Sequence, residues 1–81
     1  MKTLYLYTTL GCHLCEQAQE LAWPLLSRYG LRLQSVEIAD DAALLERFGV
    51  RIPVLAVEGD VEGLGWPFDA SMLTAYLSSR C

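Results

Sequence analysis

The sequence predicts an α/β fold with the element order β-α-β-α-β-β-α, and three observations carry that reading. An apolar run from Thr3 to Thr8 gives way, after the turn Leu10-Gly11, to a long stretch of helical periodicity. Further apolar runs at Leu31 to Ile38 and Val54 to Glu58 have the length of strands and are separated by a helix-sized segment. Gly30, Gly49 and Gly59-Asp60 fall at the boundaries, where turn residues belong. At 81 residues, the chain is read as one domain, residues 1–81.

The elements follow in order. In Thr3–Thr8, Leu4 and Leu6 alternate with Tyr5 and Tyr7, so the strand has little polar face and is expected in the middle of a sheet, covered on both sides. The first helix runs from Cys12 or His13 to Tyr29. Leu14, Ala18, Leu21, Ala22, Leu25 and Tyr29 form its apolar face, and Gly30 supplies the left-handed residue that ends it. Pro24 inside this helix removes a backbone hydrogen bond and predicts a kink near Glu20 to Trp23. In the second strand the apolar phase shifts from Leu31 and Leu33 to Val36 and Ile38, which predicts a bulge near Gln34-Ser35. Asp40 or Asp41 caps a short helix, Ala42–Phe48, whose apolar face is Leu44, Leu45 and Phe48; Gly49 closes it. After the third strand and the Gly59-Asp60 turn, Val61–Leu64 reads as a short fourth strand at or near an edge. Asp69 caps a last helix from Ala70 to about Ser79, with Met72, Leu73, Tyr76 and Leu77 inward.

Composition narrows the function classes. The chain is 53% hydrophobic and 20% charged, enough for a compact core and against disorder. A domain this short buries roughly 60% of its unfolded surface, so its margin of stability is thin. The net charge is −4, and the six basic residues form no stripe, which argues against nucleic acid as a partner. No apolar run approaches the ~18 residues of a membrane span. Lys2 and Leu4–Tyr7 are too short for a signal peptide and lack a small-residue cleavage site, so a cytoplasmic location is expected. Three cysteines are an odd number, unlike a disulfide framework.

Two of those cysteines, Cys12 and Cys15, lie three apart where strand gives way to helix. In a reducing compartment that placement reads as a redox dithiol. Exchange needs a thiolate, and an unperturbed cysteine has a pKa of ~8.5. At a helix N-terminus, unpaired N–H groups point at the Cys12 sulfur. The helix dipole contributes ~0.3–1 kcal/mol, below the ~1.4 kcal/mol of one pKa unit, so direct hydrogen bonds from the first-turn amides are needed as well. Cys12, at the tip, is expected to attack. Cys15, one turn in, is expected to resolve the mixed disulfide. Metal readings stand beside this one. A zinc site wants four ligands, and only His13 and Cys81 remain. A copper-carrying dithiol of the small metallochaperone type also places Cys-x-x-Cys after a first strand, but in a β-α-β-β-α-β order and usually behind a methionine, where this chain has Leu10 and Gly11.

Cys12-x-x-Cys15 after the first strand, Ile52-Pro53 opening the third, and the order of elements together resemble a glutaredoxin of the thioredoxin superfamily, over nearly the whole chain. The loop Gly65-Trp66-Pro67-Phe68-Asp69 further resembles the small bacterial glutaredoxin-like proteins whose substrate is unassigned. The resemblance implies a three-layer thioredoxin-like fold: a four-stranded mixed sheet with helices on both faces. It implies a cis Ile52–Pro53 bond, the alternative being an ordinary trans proline at a strand start, and a backbone at Ile52 that pairs with a substrate peptide or glutathione. It also implies Asp69 at the amino group of glutathione and Arg51 at its glycyl carboxylate. Where glutaredoxins usually carry Pro-Tyr between the cysteines, this chain has His13-Leu14, which alters the helix tip and removes a wall of the glutathione site. A Gly-Gly pair is replaced by Gly63 and Gly65, split around Leu64.

Single residues complete the reading. His13 either tunes Cys12 or is a solvated helix-start residue. Trp66 and Phe68 form either a substrate platform or a lid on the core. Tyr5, Tyr7, Trp23 and Tyr29 are read as core or half-buried packing, Cys81 as incidental, and Asp40, Asp41, Glu58, Asp60 and Glu62 as solvated loop charges. The chain is expected to be a monomeric thiol–disulfide oxidoreductase without cofactor or metal. Its substrate would be a disulfide-containing protein or a glutathione mixed disulfide, with glutathione as co-substrate. The other class of function is a binding module with little turnover.

Overall fold

A computed structural model describes residues 1–81. The order is β1 (Lys2–Thr8), α1 (His13–Tyr29), β2 (Leu31–Glu37), α2 (Ala42–Phe48), β3 (Val54–Val57), β4 (Leu64–Gly65) and α3 (Ala70–Arg80). The strands form one mixed sheet in the order β2-β1-β3-β4, with β1 and β2 parallel, β3 antiparallel to β1, and β4 antiparallel to β3.

Alternation along the strands sends successive side chains to opposite faces. Leu4 and Leu6 of β1, Leu31 of β2, and Leu55 and Val57 of β3 meet Ala18, Ala22 and Leu25 of α1 and Leu73 and Leu77 of α3 in the main core. Ala18 and Ala22 have no exposed surface, so the small side chains of α1 let its backbone lie close to the sheet. On the other face Val54 packs with Ile38 and with Phe48 of α2 in a smaller cluster, and the ring of Tyr7 stacks on Phe48 at 4.5 Å. The result is three layers, α1 and α3 on one side and α2 on the other. Each fully buried leucine or phenylalanine contributes ~1.5–3 kcal/mol. Leu4, Leu6, Phe48, Leu73 and Leu77 are all at or below 2% exposure, which makes the two faces comparable per residue although α2 is short.

Side chains cap all three helices. Asp41, not Asp40, caps α2 by accepting the Ala43 and Leu44 N–H groups at 2.9 and 3.2 Å, and Asp69 caps α3 by accepting from Met72 at 2.8 Å. The Cys12 sulfur holds the same position at α1. The helix α1 ends at Gly30, in the left-handed region at φ 63°, whose N–H reaches the carbonyls of Leu26 and Ser27. The helix runs unbroken through Pro24, which is exposed, so the carbonyl deprived of its donor lies toward solvent.

Several expectations are corrected. The register of β1 and β2 is continuous from Lys2–Leu31 to Thr8–Glu37, so there is no bulge at Gln34-Ser35. The apolar phase shifts because the strand changes its buried side: Leu31 and Leu33 face α1 and α3, while Val36 faces the α2 layer. Gly49 does close α2, its N–H donating to the Leu45 carbonyl at 2.8 Å, but it is right-handed (φ −51°) because the chain adds a further turn, with Arg51 and Ile52 N–H groups both donating to the Phe48 carbonyl. The fourth strand is only Leu64–Gly65, displaced from Val61–Leu64. The carboxylate of Asp60 takes the N–H groups of Glu62 and Gly63, and this turn keeps 61–63 out of the sheet. Gly63, at φ 67°, also lies so close to Leu55 and Val54 that a side chain would not fit. Trp23 is 64% exposed, Leu45 49% and Met72 48%, so none of the three belongs to the core. Leu14 is exposed as well.

Candidate functional site

The two parallel strands set the position of the site. Both β1 and β2 end at the same edge of the sheet, with Thr8 beside Glu37. In open α/β sheets clefts form outside such carboxyl ends. The chain leaves β1 through Thr9, Leu10 and Gly11, with Gly11 at φ 78°, and the Cys12 N–H closes the turn onto the Thr9 carbonyl at 3.3 Å. Cys12 then takes an extended backbone conformation, and α1 begins at His13.

Cys12 and Cys15 form a disulfide, with their Cα atoms 5.3 Å apart. The N–H of Cys15 donates to the Cys12 sulfur at 3.1 Å. A helix N-terminus leaves four N–H groups without intrahelical partners, and here one of them serves the sulfur as it would serve a capping carboxylate. The two cysteines differ in access: Cys12 is half-buried, whereas Cys15 is 5% exposed. His13 and Leu14, between them, are exposed, and Leu10 just before them is 93% exposed.

An open cleft of about 670 Å³ lies beside the disulfide. Cys12 and His13 line it together with Glu16, Glu37 and Asp40. Thr9 donates its hydroxyl to Glu37 at 3.0 Å and so ties the loop before the cysteines to the end of β2. Sequence reasoning missed the part played by Glu37 and treated Asp40 as a solvated loop charge. The signal available was topological: a parallel β1–β2 pair brings the residues after both strands to one place.

The remaining site residues take varied positions. Pro53 is buried directly before β3, where Val54 pairs with Tyr7, so it lies at the same end of the sheet as the dithiol. The Ile52–Pro53 and Trp66–Pro67 bonds are both cis. The Pro53 carbonyl accepts the Trp66 N–H at 3.0 Å, joining the two loops. Ile52 is half-buried, and its N–H donates to the Phe48 carbonyl at 3.1 Å. Arg51 donates to the Glu62 carbonyl at 3.3 Å and rests 5.8 Å from the centre of the Phe48 ring. The Asp69 carboxylate is taken by the α3 cap. Phe68 is 5% exposed and belongs to the main core, so it is lid rather than platform; Trp66 is half-buried against it, with ring centres 5.0 Å apart. Cys81 is exposed and distant in the chain from the pair, and its N–H closes α3 onto Leu77.

A second polar cluster occupies the other end of the sheet. The hydroxyl of Tyr76 accepts the Val57 N–H at 3.0 Å and donates to Asp60, which also pairs with Arg80 at 3.4 Å. Glu58 accepts the Thr3 N–H at 2.6 Å. Asp60 is therefore a structural partner rather than a free loop charge, and Glu58, though exposed as expected, also holds the Thr3 N–H.

A four-stranded mixed sheet between helices, with a Cys-x-x-Cys disulfide at the tip of the first helix, defines a thioredoxin-like protein of the redox type. The chain belongs to the family described as Glutaredoxin-like domain (DUF836), whose model matches residues 3–78. The X-ray structure of the structural-genomics target XcR50 from X. campestris is similar, at 44% identity and TM-score 0.71, covering 94% of this chain and 96% of that one. The solution structure of Ne2328 from Nitrosomonas europaea is 28% identical with TM-score 0.79, covering 93% and 89% respectively. No curated protein matches the chain. No helix is long and apolar enough to cross a membrane.

Proposed function

We propose that the protein is a thiol–disulfide oxidoreductase in which Cys12 is the nucleophile and Cys15 the resolving thiol. The observation that carries this reading is the Cys12 sulfur at the capping position of α1, accepting the Cys15 N–H while remaining more accessible than its partner. Donors that satisfy the cap in the disulfide are in place to stabilise a thiolate in the reduced form.

The Cys12 thiolate attacks one sulfur of a substrate disulfide; the new bond joins Cys12 to that sulfur, and the other substrate sulfur leaves as a thiolate and takes up a proton. Cys15 loses its proton and attacks the Cys12 sulfur, releasing the second substrate thiolate and closing the Cys12–Cys15 bond. Two electrons pass from the dithiol to the substrate. An external thiol donor, glutathione or a protein dithiol, returns them. Pro53 and Ile52, at the same end of the sheet, are assigned to shaping the substrate approach. His13 lies next to Cys12 and Trp66 in the neighbouring loop.

The test is a redox titration of the Cys12–Cys15 couple against glutathione, with a Cys15→Ser variant to arrest the mixed disulfide. A reversible two-electron transition and a stable adduct on Cys12 are expected. A pair that neither titrates nor traps an adduct overturns the reading in favour of a binding module.

A further inference from the structure

The cleft beside the disulfide carries an uncompensated negative charge. Glu16, Glu37 and Asp40 line it, and no lysine or arginine does. The one ion pair in the chain, Arg80 with Asp60, is at the opposite end of the sheet. Arg47 and Arg51 are engaged on the α2 face, 5.3 and 5.8 Å from the centre of the Phe48 ring. His13 is the only cleft residue able to carry a positive charge. Leu10 lines the cleft beside these acids with an exposed apolar side chain, and Leu14, outside the cleft lining, is exposed on the other side of Cys12 in sequence.

Resting on the oxidoreductase reading, we propose that the substrate is a disulfide within a basic polypeptide segment rather than an anionic disulfide such as oxidised glutathione. Like charges meeting in a cleft raise the free energy of encounter, and opposite charges raise the local concentration of the partner. Glutathione carries net negative charge near neutrality and brings it against three carboxylates. A peptide with lysine or arginine beside its cysteine brings the opposite sign. The Asp69 carboxylate is committed to the α3 cap and the Arg51 side chain to Glu62 and Phe48, so the groups the family resemblance assigns to glutathione are engaged within the fold. The exposed leucines offer contact to apolar side chains of a polypeptide, which the tripeptide lacks.

The experiment is single-turnover oxidation of the full chain, pre-reduced with dithiothreitol and desalted. The probes are oxidised glutathione and three disulfide peptides identical except for lysine, glutamine or glutamate flanking the cysteine. The lysine peptide is expected to react about tenfold faster than the glutamate peptide at low ionic strength. That ratio should contract as salt shortens the Debye length to less than ~8 Å. A combined Glu16→Gln, Glu37→Gln and Asp40→Asn variant, whose folding is checked by circular dichroism, should bring the ratio to about one. Each single substitution read separately guards against a misfolded combination. Equal rates for all flanks, a faster reaction with the glutamate peptide or oxidised glutathione, or a ratio that survives neutralisation overturns the proposal while leaving the oxidoreductase reading intact. If no disulfide of any charge oxidises the dithiol, both readings fall together.

Discussion

The two ends of the sheet hold polar groups under opposite rules. At the Asp60 end every group has a partner: Tyr76 joins Val57 to Asp60, Arg80 closes on the same carboxylate, and Glu58 holds Thr3. At the dithiol end a sulfur caps the helix, three carboxylates line the adjoining cleft without a cation, and apolar side chains are exposed. Closure at one end holds β3, its following turn and α3 together. Openness at the other leaves reactive atoms accessible. The same residue type, an acid at one end of the sheet, is a structural partner where Tyr76 and Arg80 engage it and lines an open cleft where no cation pairs with it.

Substitutions at the two ends should therefore fail differently. The largest effect is expected from Cys12→Ser: disulfide reductase activity drops to background, while the chemical denaturation curve of the reduced protein stays close to that of the parent. Cys15→Ser should instead accumulate a mixed disulfide on Cys12, visible by mass spectrometry. A fully active Cys12→Ser protein would erase the functional side of the contrast.

At the closed end, Tyr76→Phe removes a hydroxyl that serves both the Val57 N–H and Asp60, and should cost about 1–3 kcal/mol of stability with the dithiol reactivity unchanged. The same cluster sets a pH signature. Burial, aided by the hydrogen bond to Asp60, pushes the Tyr76 hydroxyl up to about 12. Its folded-state pKa is above the ordinary 10.0, so this contribution is complete below about pH 10 and is lost as pH rises through about 12. The Tyr76 hydrogen bond holds the Asp60 carboxyl below its usual value against the opposing effect of burial, helped by the Glu62 and Gly63 amides and Arg80. Its folded-state pKa is depressed, so its contribution is present above the ordinary 3.8 and is lost as pH falls below it toward the folded value. Denaturant midpoints across both windows check this, and Tyr76→Phe should abolish the alkaline limb assigned to that hydroxyl.

A smaller effect is expected at the caps. Asp69→Ala or Asp41→Ala should each cost about 1 kcal/mol, because an orphan amide loses its acceptor. The smallest belongs to Trp23→Ala: this side chain is 64% exposed, so the change should stay within about 0.5 kcal/mol. A larger loss would mean that Trp23 packs in the core.

Legibility in the sequence follows the range of the interaction. The limits of α1 and α2 can be read because their signals are local: a capping residue at one end, a glycine at the other, and regular spacing between. The dithiol is legible for the same reason, since strand, turn and helix start lie within a few residues of one another. What was not legible depended on distant partners. The displaced β4 follows from Asp60 binding the amides after it, and Asp60 is itself held by Tyr76, 16 residues away. Periodicity pointed Tyr76 inward without naming the partner of its hydroxyl. Glu37 looked like a strand-end charge until the parallel pairing placed it beside Thr8, with Thr9 bonded to it. Trp23 was assigned to packing by its residue type, while the face of α1 that meets the sheet is built from Ala18, Ala22 and Leu25.

The central claim is that the cap of α1 makes the Cys12 sulfur the reactive one. Its most direct test is the alkylation rate of each cysteine in the reduced protein at pH 7, resolved by mass spectrometry after brief exposure to iodoacetamide. The Cys12 sulfur accepts a first-turn amide and is the more accessible of the pair, so Cys12 should be modified about tenfold faster than Cys15. Equal rates, or faster modification of Cys15, would contradict the account.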